Sequence, residues 1–179
     1  MLAKQAHRGK VILVLGGARS GKSAFALASA EKKSGEKYFF ATAEIRDLEM
    51  KERISQHQKE RPSLWNTVEA PLDLVGALQK ENRSDVIVVI DCLTLWLSNL
   101  LEKRKKELFI LGKIDQLSEA LTRFSGQGWL VSNEVGSGVV PDTPLGREFR
   151  DLSGIMNQKI AKIANEVYWV SAGLPQRLK

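Results

Sequence analysis

Lys10-Val11-Ile12-Leu13-Val14-Leu15 runs directly into Gly16-Gly17-Ala18-Arg19-Ser20-Gly21-Lys22-Ser23. The first six residues are a continuous apolar, β-branched run, the pattern of a strand buried on both faces of a parallel sheet. The next eight match G-x-x-x-x-G-K-[ST]. Glycines at Gly16, Gly17 and Gly21 let backbone amides curl around phosphate oxygens. The helix that begins at Lys22 adds unpaired N–H groups and the positive end of its dipole. Lys22 is the residue placed to meet β- and γ-phosphates, and Ser23 offers a hydroxyl to Mg²⁺. With a strand entering and a helix leaving, the stretch reads as a phosphate-binding loop for a nucleoside triphosphate.

Outward from this loop, strand-like and helix-like segments alternate. Helices are expected over 22–33, 48–59, 71–80, 93–106, 114–124 and 145–165. Strands are expected over 38–42, 85–90, 128–132 and 167–170, with a short extended piece at 66–69. Residues 135–144, rich in Gly and Pro, read as a functional loop. Alternation of this kind predicts an α/β fold with a mostly parallel sheet flanked by helices. The 179 residues suit one domain, 1–179, with residues 1–9 as a flexible tail.

Asp91 follows the apolar run Val86–Ile90 at a strand end. A carboxylate there orients Mg²⁺ or its waters, although Asp is also common at such places as a helix cap. The chain carries 27 basic and 21 acidic residues, a net charge of +6, which attracts nucleotides as readily as nucleic acid. The cluster Lys103-Arg104-Lys105-Lys106 lacks the aromatic platforms of an RNA-binding surface, so no nucleic-acid partner is expected. No apolar run approaches a membrane span, and the residues before Val11 do not form a secretory signal, so a cytoplasmic location is expected. Cys92 is the one cysteine, which excludes an intrachain disulfide, and it reads as a small buried hydrophobe.

Beyond the loop, further segments stand in a fixed order. They are Ala41-Thr42-Ala43 with Asp47-Leu48-Glu49-Met50; Arg53-Ile54, His57 and Arg61-Pro62; Trp65 with Thr67-Val68-Glu69-Ala70-Pro71-Leu72; Asp91-Cys92-Leu93-Thr94-Leu95-Trp96 with Ser98-Asn99-Leu100-Leu101; and Ser132-Asn133-Glu134-Val135-Gly136 with Gly138-Val139-Val140-Pro141. With Gly16–Ser23, this ordered set resembles the bifunctional adenosylcobinamide kinase / adenosylcobinamide-phosphate guanylyltransferase family of cobalamin biosynthesis, from Val11 to about Gly173.

The resemblance implies a RecA-like P-loop NTPase fold, a homotrimer, Mg²⁺, and ATP and GTP as substrates. It implies phosphorylation of adenosylcobinamide, then transfer of GMP from GTP to the phosphate through a GMP–histidine intermediate, giving adenosylcobinamide-GDP. By motif position it puts the histidine at His57. It puts nucleotide contacts on Gly16, Gly17, Ala18, Arg19, Ser20, Gly21, Lys22, Ser23, Ala41, Thr42, Ala43, Gln58, Lys59, Glu60, Arg61, Glu69 and Asp91. Here His57 is flanked by Gln56 and Gln58, where many relatives carry basic residues or further histidines.

A neutral imidazole is a competent nucleophile near pH 7, its ordinary pKa being about 6.5. His57 also follows Met50 and Ile54 at helical spacing, which fits the edge of an apolar helix face. Glu69 has three readings: acceptor for guanine N1–H and N2–H₂, partner of ribose hydroxyls, or cap of the following helix. Asn133 and Glu134 end a strand where ligands approach open α/β sheets, or form a local turn. On the loop alone, a small-molecule kinase without a histidine adduct and a nucleotide-dependent switch are the rival readings.

Overall fold

Alternation within the strands sets the layers. In the computed structural model, which describes residues 9–44, 48, 52, 64–103 and 106–179, seven strands form one sheet. They are β1 (Lys10–Gly16), β2 (Glu36–Ala41), β3 (Asn66–Glu69), β4 (Val86–Asp91), β5 (Gln127–Asn133), β6 (Glu166–Ser171) and β7 (Leu174–Arg177). The order across the sheet is β3-β2-β4-β5-β1-β6-β7, parallel except for the β6–β7 hairpin. The helices among the described residues are α1 (Lys22–Glu31), α2 (Leu74–Lys80), α3 (Leu93–Glu102), α4 (Glu107–Thr122) and α5 (Pro144–Ile163).

Val11, Leu13, Val86, Val88, Ile90 and Leu130 point to one face and pack with Leu74, Leu78, Trp96, Leu97, Ile114, Met156 and Ile160, from α2 to α5. Ile12, Val14, Ile87, Val89, Trp129 and Val131 point to the other, against Ala26 and Ala30 of α1. Strands buried on both faces therefore read as unbroken apolar runs. Among the described residues no helix is long and apolar enough to cross a membrane.

The structure moves several expected boundaries. The helix expected from Pro71 begins at Leu74, because Asp73 caps it, its Oδ1 accepting from Gly76 N at 3.0 Å. Asp73→Ala should cost about 1 kcal/mol, seen as a loss of roughly 2–4 °C in Tm by calorimetry. α3 ends at Glu102 rather than Lys106, and α4 starts at Glu107 rather than Ile114. Gly9, counted with the tail, donates its N–H to Phe124 O at 3.2 Å. The helix expected over 48–59 lies almost wholly outside the described residues.

β7 was not expected. The turn between β6 and β7 is Ala172-Gly173, with φ of 50° and 80°. Two left-handed residues match the tight two-residue turns that suit strand twist, but alanine rarely announces one.

Glu31, at the end of α1, accepts from Lys37 Nζ at 2.9 Å and from Trp65 Nε1 at 2.5 Å. The bonds from Lys37 and then Trp65 hold its carboxyl below the ordinary range. A lowered folded-state pKa contributes stability above the unfolded value of about 4.3, lost as pH falls through the folded value. The stability gap between the unsubstituted protein and Glu31→Gln, followed by urea denaturation, should therefore be open at pH 6 and closed at low pH.

Candidate functional site

The parallel strands end together along one edge of the sheet, and the named residues gather there. In register, Gly16 of β1 pairs with Asn133 of β5, Val131 of β5 with Asp91 of β4, and Ala41 of β2 with Asp91 and with Glu69 of β3. Ligands bind outside the carboxyl ends of strands in open α/β sheets.

The phosphate loop is built by close approach. A Cβ on Gly16 would lie 2.5 Å from both Ser20 Oγ and Val170 O, so only glycine fits. Gly21 has φ 91° and packs against Gly173 of the β6–β7 turn, and Gly173 N donates to Ser20 O at 2.8 Å. The unexpected hairpin thus buttresses the loop, a role with no local signal in the sequence. Arg19 is left-handed at φ 55°, completing the curl. Lys22 is largely buried, and its Nζ donates to Gly17 O at 3.1 Å, so the ammonium folds back over the loop. Among the described residues Ser20 Oγ is buried without a hydrogen-bond partner, an oxygen able to serve a ligand.

Asp91 ends β4 two strand positions from β1, roughly 10 Å across the sheet. The capping alternative for Asp91 fails, because the residue at the N-cap of α3 is Cys92. The Cys92 thiol is pushed up to about 11, by burial first and then by the Asp91 charge, so it stays neutral and the expectation of a buried hydrophobe holds. α1 packs over β1, β4, β5 and β6, which brings Ser23 in its first turn to the same edge. Hydroxyl and carboxylate oxygens suit Mg²⁺, which uses one or two protein oxygens plus phosphates. Among the described residues no cluster of three or more His, Cys, Asp or Glu forms a metal cage.

Glu69 is exposed at the end of β3, four strand positions from β1 and roughly 19 Å away. It does not cap the next helix, a role taken by Asp73. Thr42 is fully buried with its polar atoms engaged. Its N donates to Asp91 O at 3.2 Å, its Oγ1 accepts from Cys92 N and donates to Cys92 O, both at 2.7 Å, and its O accepts from Asn99 Nδ2 at 2.7 Å. Thr42 therefore supports the edge from beneath, while Ala41 and Ala43 are partly exposed.

Asn133 Nδ2 donates to Thr94 Oγ1 at 2.8 Å, and Glu134 closes a local turn by accepting from Gly136 N at 2.6 Å. Arg147 Nη1 donates to Pro141 O and Asp142 O, pinning the loop over 135–144. His57, Gln58, Lys59, Glu60 and Arg61 lie outside the described residues.

The fold is shared with solved structures. A prototypical ATPase of a bacterial type III secretion system superposes with a TM-score of 0.59 at 12% identity. The match covers 95% of this chain, which spans 57% of that one. A protein of Pyrococcus horikoshii OT3 gives 0.58 at 8% identity, covering 97% of this chain and 87% of that one. At the level of sequence, the bifunctional adenosylcobalamin biosynthesis protein CobP of Pseudomonas aeruginosa is 42% identical over 167 residues, 93% of this chain and 96% of that protein. The corresponding CobU proteins of Escherichia coli K12 and Salmonella typhimurium LT2 are 37% and 35% identical, each over 94% of this chain and 99% of theirs. A family model described as cobinamide kinase / cobinamide phosphate guanyltransferase matches residues 12–178. Loop, sheet edge and full-length similarity agree: the chain belongs to the cobinamide kinase / cobinamide phosphate guanyltransferase family and is a bifunctional nucleotide-dependent transferase of cobalamin biosynthesis.

Proposed function

We propose that both activities run along the carboxyl edge of this one sheet, with Gly16–Ser23 holding nucleotide phosphates and His57 carrying GMP between GTP and adenosylcobinamide phosphate. In the kinase step, ATP or GTP rests its β- and γ-phosphates on the loop amides and on Lys22. The aminopropanol hydroxyl of adenosylcobinamide attacks the γ-phosphorus. The bond to the β-phosphate oxygen breaks, and the nucleoside diphosphate leaves. Mg²⁺, held through Ser23 and Asp91, supplies neutralisation of phosphate charge when bound.

In the second activity, one ring nitrogen of neutral His57 attacks the α-phosphorus of GTP. A P–N bond forms, the α–β P–O bond breaks and pyrophosphate departs. A phosphate oxygen of adenosylcobinamide phosphate then attacks the same phosphorus. The P–N bond breaks, releasing adenosylcobinamide-GDP and free His57. Lys22 and the loop amides stabilise the leaving pyrophosphate. Lys59 and Arg61 add positive charge beside the transferring phosphorus, and Ala41, Ala43, Gln58, Glu60 and Glu69 contact the nucleotide. The active assembly is a homotrimer, as the resemblance implies.

The observation that carries this reading is the built phosphate loop at the end of β1, facing the same edge as Asp91. Its test is chemical. The protein is incubated with Mg²⁺ and GTP labelled at the α-phosphate, then denatured. Acid-labile, base-stable label on the protein is expected. Bound GTP with no covalent label would leave phosphoryl transfer alone and remove the histidine carrier.

A further inference from the structure

Asn133 is the last residue of β5, the strand that lies between β1, which enters the phosphate loop, and β4, which ends at Asp91. Its register partner is Gly16, and Val131, two positions earlier, pairs with Asp91. Glu134 N donates to Gly16 O at 3.1 Å, so the end of β5 stays joined to the first glycine of the loop. Neighbouring strands lie about 5 Å apart, which puts Asn133 one strand from the loop and one strand from Asp91. Side chains alternate along a strand. Trp129 and Val131 pack on the α1 side, and Asn133 continues that series, on the face where the loop enters α1.

This residue is held from two sides. Its Nδ2 donates to Thr94 Oγ1 at 2.8 Å, and Thr94, near the start of α3, is buried. Its backbone N also reaches that oxygen, at 3.4 Å. Cys92 Sγ, 3.1 Å from Thr94 Oγ1, is within reach of the hydroxyl's own proton. The carbonyl of Asn133 accepts from Asn157 Nδ2 of α5 at 3.1 Å, and Asn157 Oδ1 accepts from Ser132 Oγ at 2.7 Å. Ser132 and Asn157 are buried as well. Burying polar groups costs free energy unless they are paired, and here buried groups of α3, α5 and β5 pair so as to fix one partly exposed residue. The arrangement leaves one pole of the amide. Among the described residues nothing donates to Asn133 Oδ1.

That pole selects the ligand. An amide oxygen accepts and cannot donate. It repels the anionic oxygens of a bound triphosphate, and it suits a hydroxyl. We propose that Asn133 contacts the acceptor in the kinase step: its Oδ1 accepts from the alcohol that receives the phosphoryl group, and Thr94 is the residue that positions it. The O–H held in this way turns an oxygen lone pair toward the γ-phosphorus. The bond formed joins that oxygen to the γ-phosphorus, and the bond broken joins the γ-phosphorus to the β-phosphate oxygen. The proton passes to the oxygens of the transferred phosphoryl group and on to solvent, because an amide is too weak a base to keep it. Guanylyl transfer has a phosphate as its acceptor, so Oδ1 takes no part in it. The proposal rests on the kinase reading of this site.

The test uses the full chain with Mg²⁺. Transfer of label to adenosylcobinamide from ATP labelled at the γ-phosphate is measured first in the unsubstituted protein. No transfer there removes the kinase reading, before any variant is made. Asn133→Ala then deletes the accepting oxygen. Thr94→Val keeps Oδ1 but loses the hydroxyl that holds the amide, and Thr94→Ser restores that hydroxyl. Loss of orientation at a reacting group costs about 10- to 100-fold. The kinase kcat is expected to fall that far in Asn133→Ala and less far in Thr94→Val, with Thr94→Ser returning toward the unsubstituted value. GMP transfer to adenosylcobinamide phosphate, and ATP affinity by equilibrium dialysis, should move less than about threefold in all three variants.

Equal losses in both reactions, or a raised Mg²⁺ requirement shared by them, would overturn the proposal and make Asn133 a support of the loop or a ligand of the ion. An unchanged kinase kcat in Asn133→Ala would overturn it outright. Should Asn133→Ala fail to fold by circular dichroism, the Thr94 pair decides: equal kinase rates in the Val and Ser variants remove the role, and a slower Val variant with normal GMP transfer supports it.

Discussion

Lys22→Ala is expected to remove turnover without unfolding the protein. The ammonium folds over the loop's own backbone, its Nζ donating to Gly17 O. Removing a single preorganised donor from a developing charge typically costs about 10²–10³ in kcat, and the kinase step should fall at least that far. Guanylyl transfer should fall with it, because in the proposed mechanism the same ammonium stabilises the departing pyrophosphate. Lys22→Arg should not restore either, since a planar fork does not replace a compact point charge in a loop this tight.

Stability should move the other way. A largely buried cation bonded to a loop carbonyl is a cost that binding repays, so Tm of Lys22→Ala is expected at or above that of the unsubstituted protein. Calorimetry, together with steady-state assays of both reactions, checks the pair. A large fall in Tm would mean that lost activity reports lost structure.

His57→Ala is expected to separate the two activities. Guanylyl label on the protein should drop to background and formation of adenosylcobinamide-GDP should stop, while phosphorylation of adenosylcobinamide stays within about threefold, because the loop, Lys22 and Asp91 are untouched. Rapid-quench labelling measures the loss directly. If both activities are lost in His57→Ala, the histidine serves the fold or a shared binding step, and no covalent carrier is needed.

Much of the architecture is legible from short stretches. Val11–Leu15, Val86–Ile90 and the loop between Gly16 and Ser23 each declare themselves through contiguous residues, and the structure returns them with boundaries shifted by a residue or so. Elements whose signal is weak were less legible. The start of α4 at Glu107 is hidden by exposed Leu108 and Phe109 and by Gly112, which blur the helical period. β7 is four exposed residues containing Pro175, joined through an alanine in the left-handed region. Its contact with the phosphate loop depends on the hairpin turning back over Gly21, a fold-level event.

The candidate site divides along the same line. By itself the sequence determined that this chain has a phosphate loop, which lysine and serine it offers, that a carboxylate ends the strand at Asp91, and which family it resembles. These are properties of neighbouring residues, and local steric and hydrogen-bonding rules decide them. Only the tertiary structure decided that β5 lies between β1 and β4, that Glu69 stands four strands from the loop, and that Thr42 faces the core. It also revealed that Asn99 reaches partners 57 and 28 residues away. The reason is physical: strand order and buried amide pairing follow from packing of the whole sheet against its helices, which is non-local and leaves no mark on any one stretch of residues.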